Sequence, residues 1–315
     1  QEVTPWEAAT DFVRRFGQSP KHLLRRLKSS LLEKIMPEEL ASGPPTGTWR
    51  ERRVEPSGEE HLFRDILVTL TGAPSGWRAL AQATKIVYHE NSVMHGLHVV
   101  TSEGEEELER GRRILEEFSA RCEELGVESS ASLVVDDDVA HVIIDRARWV
   151  DMVVINQRRV HSESVMRPLG TIFQVVASQT LSPILAVPGN KVTSLERIVL
   201  AYDGSPKANE ALFVLRHLMQ CWEAEGAIVT VEDPGADRET LEDAQEYIQA
   251  SIQRDVAIHY EQGSPEDAIL RIMGEEQADL LLMGGYGYRP LVRMFLGSTV
   301  DRTLRSAWFP VLICR

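Results

Sequence analysis

Short apolar runs alternate with longer amphipathic stretches over most of the chain. From residue 65 onward, ten runs of four or five residues are largely apolar, and Leu280–Met283 is typical of them. A strand that is apolar at every position leaves no face for water, as is required in a parallel sheet covered by helices on both sides. The pattern therefore predicts an α/β fold with ten strands: Ile66–Leu70, Gly96–Val100, Ser132–Val135, Met152–Ile155, Ile184–Val187, Ile198–Tyr202, Ala227–Val231, Val256–Tyr260, Leu280–Met283 and Val311–Cys314.

The first five runs and the last five repeat one pattern. Asp65–Leu80 aligns without a gap on Arg197–Leu212, and the run that begins at Asp151 matches the run that begins at Asp279. Self-similarity at such a distance indicates a tandem duplication. We therefore expect two open, parallel, five-stranded sheets with helices on both faces, in an N-terminal half (residues 63–190) and a C-terminal half (residues 191–315).

Residues 1–62 differ from both halves. They predict a short helical extension, followed by a linker rich in Pro, Gly and charge in Ala41–Glu60. The first 36 residues are net basic and carry an apolar stripe. Helices of this kind could contact a membrane surface or a membrane protein, could dock on the acidic α/β body of the same chain, or could follow a preceding transmembrane region. Because the chain begins with Gln1 rather than Met, we expect it to be a piece of a longer protein.

Composition narrows the class of protein. The chain has 315 residues and a formal net charge of −14, which argues against broad nucleic-acid binding, because a phosphate backbone is bound by a positive surface. It contains no apolar run of about 18 residues, so no helical membrane span is expected. The 3 cysteines lie far apart, without zinc-ligand spacing, and a cytoplasmic location is expected, as a regulatory domain on its own or as the cytosolic part of a membrane protein.

A glycine pattern follows the apolar run Leu280–Met283. Gly284 and Gly287 are followed, after a nine-residue spacer, by Gly297-Ser298-Thr299. Glycines let the backbone turn tightly and offer its N–H groups to an anion, and a helix that begins near Ser298 adds its dipole and unpaired amides. The alternative is a strand-to-loop turn followed by an ordinary helix cap.

Through this glycine pattern the sequence resembles the universal stress protein family. The resemblance covers about residues 63–315 and is closest in the C-terminal half. The resemblance implies an adenosine-nucleotide site (ATP, ADP or AMP, with Mg²⁺) whose phosphates lie on the glycine loop. It also implies an Asp on the nucleoside side, matched by Asp203, and a Gly-x-Pro turn near the adenine, matched by Gly263 and Pro265. Asp203 and Gly284 would then flank the crevice where open α/β sheets bind ligands.

Several of these residues also have plainer explanations. Asp203 lies in Asp-Gly-Ser-Pro, which is good turn chemistry. Tyr286, Tyr288, Arg289 and Arg293 could cover a nucleotide or meet its phosphates, or could belong to an ordinary solvated loop.

The N-terminal half lacks most of the motif. Asn156, Gln157, Arg158 and Arg159 stand at the positions of Gly284–Gly287, and Thr71 stands at the position of Asp203. We therefore expect this half to be structural. Asp136, Asp137 and Asp138 suggest a metal cluster, but acidic residues also favour the start of a helix, and we prefer that explanation.

The expected function is an adenine-nucleotide-binding regulatory or stress-response module without efficient enzymatic activity, in which nucleotide changes the 284–299 loop. The resemblance implies pairing through last strands, so Ile184–Val187 and Val311–Cys314 are candidate edges for a homodimer or an intramolecular pseudo-dimer. Two alternatives stay open: a regulatory domain of a transporter or channel that senses another nucleotide, such as a cyclic dinucleotide, and an interaction module with an empty site.

Overall fold

The computed structural model describes residues 61–157, 171–188, 191–285 and 299–315. All ten predicted strands are present, with ends shifted by a few residues. The strands are β1 (Asp65–Thr69), β2 (Val93–Val100), β3 (Ser129–Val135), β4 (Met152–Gln157), β5 (Ile184–Pro188), β6 (Arg197–Ala201), β7 (Glu225–Val231), β8 (Ala257–Glu261), β9 (Leu280–Gly284) and β10 (Val311–Cys314). The helices are α1 (Pro74–Glu90), α2 (Glu105–Glu124), α3 (Val139–Ala147), α4 (Thr171–Gln179), α5 (Pro206–Cys221), α6 (Arg238–Ile252), α7 (Pro265–Glu275) and α8 (Thr299–Ser306).

The ten strands form one sheet in the order β3-β2-β1-β4-β5-β10-β9-β6-β7-β8. Strands within each half are parallel, and the two halves meet where β5 pairs antiparallel with β10, with Leu185 opposite Leu312. The predicted five-stranded sheets are therefore both present, joined through their last strands as expected. The predicted boundary between residues 190 and 191 lies between β5 and β6, and the described residues of both halves belong to one compact unit.

An aspartate before the fourth strand plays the same part in each half. The Asp151 carboxylate accepts hydrogen bonds from the backbone N–H groups of Arg64 (2.8 Å) and Asp65 (3.0 Å), at the start of β1. The Asp279 carboxylate accepts one from the N–H of Arg197 (3.0 Å), at the start of β6. The sequence repeat at these two aspartates is thus a repeat of the contact that aligns the first and fourth strands.

Each face of the sheet carries one apolar core, and each core contains residues from both halves. One face is covered by α1, α2, α5 and α6, and the other by α3, α4, α7 and α8. Fully buried aromatic side chains lie on both faces, such as Phe118 on the first and Phe309 on the second. Burying such a side chain contributes roughly 1.5–3 kcal/mol, so the continuous cores bind the halves to each other as well as closing each half.

A buried polar cluster also links the halves. The Glu90 carboxylate, at the end of α1, accepts hydrogen bonds from the backbone N–H of Leu62 (2.6 Å) and Phe63 (3.1 Å). It also contacts His217 Nε2 (2.7 Å) and accepts a hydrogen bond from Trp222 Nε1 (2.7 Å), both from the C-terminal half. Burial raises the pKa of the Glu90 carboxyl, but the hydrogen bonds from His217, Phe63 and Trp222 outweigh burial and leave that pKa below its usual value.

The acidic run before α3 caps that helix. Asp138 Oδ1 accepts a hydrogen bond from the His141 N–H (3.0 Å), and Asp136 Oδ1 accepts one from the Asp138 N–H (2.8 Å). The helix-start explanation of these acids is confirmed, and among the described residues no group of three or more His, Cys, Asp or Glu side chains could hold a metal ion.

The predicted extension, residues 1–60 of the 1–62 segment, lies outside the described residues. None of the helices in the described ranges is long and apolar enough to cross a membrane.

Candidate functional site

The predicted site residues lie where the strand order of the C-terminal half reverses. β6 and β9 are parallel neighbours, with Ala201 opposite Met283. Asp203 and Gly284 therefore follow at the same edge of the sheet, which we call the β6–β9 edge. From β6 the chain continues to β7 and β8 on one side of this edge, and from β9 it continues to β10 on the other side. Open α/β sheets bind ligands at such points.

Asp203 forms a tight turn that starts α5. Its Oδ1 accepts a hydrogen bond from the Ser205 N–H (3.0 Å), and Ser205 Oγ in turn accepts one from the Ala208 N–H (3.2 Å), which caps the helix. Pro206 follows at the first helical position, where a missing N–H is tolerated. The turn-forming explanation of Asp203 is therefore confirmed. The side chain is exposed, so the turn leaves its second carboxylate oxygen open to solvent.

Gly284 lies against the first turn of α5. A Cβ atom at this position would lie 2.7 Å from the Ala208 nitrogen and 2.8 Å from the Lys207 carbonyl carbon, which are backbone atoms that cannot swing away. At Gly285 a Cβ would lie 2.9 Å from the Cys314 carbonyl oxygen, to which the Gly285 N–H donates a 2.7 Å hydrogen bond. The two glycines therefore permit a close approach of backbone that no other residue would allow.

Gly263 and Thr299 lie at the ends of other elements. Gly263 follows β8 with φ +100°, a conformation that favours glycine, and open space surrounds the place of a Cβ. It precedes Ser264, the N-terminal cap of α7, so the predicted Gly-x-Pro turn is a helix start at the carboxyl ends of the strands. Thr299 is the first residue of α8. Of the predicted residues, Gly287, Gly297 and Ser298 lie outside the described ranges, together with Tyr286, Tyr288, Arg289 and Arg293.

Two cations at this edge were not predicted. Lys207 lies in the first turn of α5, and burial together with the nearby Arg315 charge lowers the pKa of its amine to about 8. Arg315 directly follows β10; its Cδ lies 3.1 Å from where a Gly285 Cβ would be, and its Nη2 donates a hydrogen bond to the Ala177 carbonyl of α4. Sequence signals for both exist: Lys207 is a cation near a helix N-terminus, where positive charge is disfavoured, and Arg315 is a cation at the carboxyl end of a buried strand.

Tyr202 directly follows β6 at this edge and is buried. Its phenol donates a 2.6 Å hydrogen bond to Asn209 Oδ1. Burial raises the pKa of the phenol, and the Asp203 and Asp243 charges add to that effect. Tyr202 is therefore a neutral, fixed side chain that holds the β6–α5 turn to the first turns of α5.

The corresponding β1–β4 edge of the N-terminal half is built differently. Asn156 stands at the position of Gly284, and both amide atoms of its side chain are buried with no hydrogen-bond partner among the described residues. Gln157, at the position of Gly285, donates from Nε2 to the Leu304 carbonyl of α8 (2.6 Å). Thr71 stands in place of Asp203. Among its described residues, this edge has no counterpart of the glycine pair, of the Asp203 carboxylate or of the two cations of the β6–β9 edge.

Comparisons with known proteins agree with this geometry. A family model described as "Universal stress protein family" matches residues 194–315. A universal stress protein of Thermus aquaticus is 30% identical over 133 residues, which cover 38% of this chain and 97% of the relative. A universal stress protein of Synechocystis sp. is 24% identical over 213 residues, covering 66% of this chain and 72% of that protein.

A solved structure shares the whole two-half architecture. The crystal structure of a universal stress protein from Archaeoglobus fulgidus superposes with a TM-score of 0.71 at 23% sequence identity, covering 80% of this chain and 98% of that one. This likeness concerns the fold.

Proposed function

The chain belongs to the universal stress protein family, and we propose that its C-terminal half binds an adenine nucleotide, ATP or the related ADP or AMP, at the β6–β9 edge. The phosphates would lie on the glycine segment that begins at Gly284. The N-terminal half would support this site without a nucleotide of its own, because its β1–β4 edge carries Asn156 and Gln157 where the other half carries glycines.

The observation that carries the proposal is the backbone packing at Gly284. The end of β9 lies against the first turn of α5 so closely that a Cβ would come within 2.7 Å of a backbone nitrogen. A segment without β-carbons beside the N-terminus of a helix lets an anion come close to the positive end of the helix dipole. The same edge is the switch point of the strand order, which is the expected ligand position in this fold class.

Asp203 suits a bound Mg²⁺. Magnesium in nucleotide sites is commonly held by one or two carboxylates, the phosphates and several waters, and so does not need an all-protein cluster. The exposed Asp203 carboxylate uses one oxygen for the turn, and its other oxygen could meet the metal or the ribose.

We propose that binding, not turnover, is the output. Nucleotide bound at this edge would stabilise one arrangement of the 284–299 loop and so change the surface that a protein partner meets. Any hydrolysis of ATP should be slow. Phosphate release measured alongside binding tests this point.

The test is a calorimetric titration of the full chain with ATP, ADP, AMP and cyclic dinucleotides, with and without Mg²⁺. Gly284→Ala should abolish binding, because its Cβ has no space. Gly274→Ala is the matched control: it lies in α7, where a Cβ meets nothing within 4 Å. Tight binding of a cyclic dinucleotide but of no adenine mononucleotide would contradict the adenine assignment, and so would unchanged binding by Gly284→Ala.

A second pair of variants separates the metal or ribose role of Asp203 from its turn role. Asp203→Asn keeps an oxygen for the Ser205 N–H but removes the charge, whereas Asp203→Ala removes both. If the carboxylate meets Mg²⁺, Asp203→Asn should lose about tenfold in Mg²⁺-dependent affinity with unchanged thermal stability, since a charge-assisted contact is worth about 1.5–3 kcal/mol. Equal affinity of Asp203→Asn and wild type, with and without Mg²⁺, would remove Asp203 from the site.

A further inference from the structure

Two cationic residues lie beside the glycine pair of the β6–β9 edge. The main chain of Lys207 packs on Gly284, and the side chain of Arg315 packs on Gly285. They are 108 residues apart in sequence and come from different elements, the first turn of α5 and the residue after β10. The two neighbouring glycines thus have one cationic residue against each of them.

The position of Lys207 is electrostatically unfavourable for a cation. The N-terminal turn of a helix carries partial positive charge, so an amine there is disfavoured. The Arg315 guanidinium lies near enough to lower the pKa of Lys207 further, which adds to the effect of burial. An anion at the glycine pair would relieve the repulsion between the two side chains and would meet the helix dipole at the same time.

The N-terminal half holds Arg315 in place. Ala177 lies in the last turn of α4, and its carbonyl accepts a hydrogen bond from Arg315 Nη2. The equivalent contact on the other side of the interface runs from Gln157 to the Leu304 carbonyl of α8. The two acceptor carbonyls lie at matching positions of α4 and α8, but the donors differ: Gln157 stands at the position of Gly285, whereas Arg315 follows β10 and carries a charge.

We infer that Lys207 and Arg315 are the residues that bind the outer phosphates and make the site prefer a nucleoside triphosphate over a monophosphate. This inference rests on the proposed function, since it concerns the same site. The N-terminal end of α5 attracts any phosphate through the helix dipole, whereas the two cations attract a ligand more strongly the more negative charge it carries. Because α4 orients Arg315, the N-terminal half contributes to the preference without binding nucleotide.

The test compares the ratio of ATP affinity to AMP affinity in four variants of the full chain. Lys207→Met and Arg315→Met should each lower ATP affinity about tenfold, the value of one charge-assisted contact, and AMP affinity less than about threefold. Lys85→Met is the control for net charge, since this exposed lysine lies on α1. Gln157→Met is the control for loss of the equivalent contact between the halves. Both controls should leave the ratio within about twofold of wild type.

Two further measurements test the charge of Lys207 itself: restoration of the charge by arginine, and the pH dependence of ATP affinity. A purely structural role of Lys207 would change neither. Lys207→Arg should restore the preference for ATP. In wild type, ATP affinity should fall between about pH 7.5 and about pH 9.5 as the amine, with its pKa of about 8, loses its proton, and in Lys207→Arg it should stay flat over that range. The other described titratable groups at this edge belong to Tyr202, Asp203, Glu210, Cys314 and Arg315. Burial raises the pKa of both Tyr202 and Cys314.

The outcomes separate this inference from the proposed function. If wild type binds ATP and the Lys207→Met and Arg315→Met variants keep its ATP-to-AMP ratio, the cation pair is not a phosphate site and the proposed function stands. If Gln157→Met lowers the ratio as much as Arg315→Met does, the effect comes from the interface and the inference is overturned. If wild type binds no nucleotide at all, both fail. A selective fall of the ratio in the two cation variants, reversed in Lys207→Arg, supports it.

Discussion

The two halves of this protein share a fold and differ at one edge. Both order their strands alike, and both align the first strand with the fourth through an aspartate, Asp151 or Asp279. At the end of the fourth strand, however, one half has Asn156 and the other has Gly284. The half without glycine buries an amide that no described residue satisfies, and the half with glycine brings a helix start into contact with the strand.

This difference separates the features that the two halves share from the features that only one half has. Features repeated in both halves, such as the two aspartates, are needed wherever the sheet is built. Features present in one half alone, such as the glycine pair, are not required by the fold that the two halves share, because the other half folds without them. Asymmetry between the halves is therefore the strongest internal argument for a ligand at the β6–β9 edge.

The largest effect should come from breaking the link between the halves. Glu90→Ala removes the acceptor for two backbone N–H groups and for Trp222, and leaves His217 without its carboxylate. Removing one member of a buried charged cluster costs about 3–5 kcal/mol, so the denaturant midpoint should fall sharply. Asp65→Ala, which removes the partly exposed contact with His95, is the control and should cost under about 1 kcal/mol. A similar small loss for Glu90→Ala would show that the cluster does not hold the halves together.

The next prediction compares substitution by valine at the equivalent position of each half. Gly284→Val inserts a side chain where a Cβ already lies 2.7 Å from backbone, and should destabilise the protein by about 1–3 kcal/mol. Asn156→Val removes two buried polar atoms that lack described partners, and should change the unfolding free energy by about 1 kcal/mol or less, toward greater stability. Thermal unfolding of both variants measures the difference. Equal destabilisation would mean that the two strand ends have the same packing.

A smaller effect should appear in the pH dependence of stability. The pKa of Glu90 is lower in the folded protein than in the unfolded chain, so the carboxylate contributes stability above its unfolded pKa and that contribution is lost as pH falls through the folded pKa. The loss begins near the ordinary pKa of a glutamate, about 4.3, and continues below it. Glu90→Gln should lose part of this slope when unfolding is followed by circular dichroism in acid. An unchanged slope would assign it to other carboxylates.

The smallest effect concerns the starts of the equivalent helices α1 and α5. Ser205 caps α5 through a hydrogen bond to the Ala208 N–H, whereas Ala73, at the equivalent position before α1, makes no side-chain cap. Ser205→Ala should cost about 1 kcal/mol, and Ala73→Ser should gain about 0.5–1 kcal/mol. Differential scanning calorimetry of the two variants would show opposite shifts in Tm. Shifts of the same sign would contradict the equivalence of the two helix starts.

Much of the fold could be predicted because its signals are local. Leu280–Met283 is apolar throughout, and a run of this kind is stable only where both faces are covered, whatever lies elsewhere in the chain. Asp203-Gly204-Ser205-Pro206 contains a turn, a cap and a first helical position in four consecutive residues. The site could be placed because Asp203 and Gly284 each follow a predicted strand, and the resemblance made those strands neighbours.

The sequence by itself determined the ten strands, the repeat, and which half carries the glycine pattern, since each is encoded in neighbouring residues. Only the tertiary structure showed that the charge of Arg315 acts on Lys207, that Arg315 reaches Ala177 in the other half, and that Glu90 joins His217 and Trp222. These contacts connect residues more than 100 positions apart. No local sequence pattern identifies the partners of these side chains, because those partners depend on how the helices pack across the antiparallel β5–β10 pair.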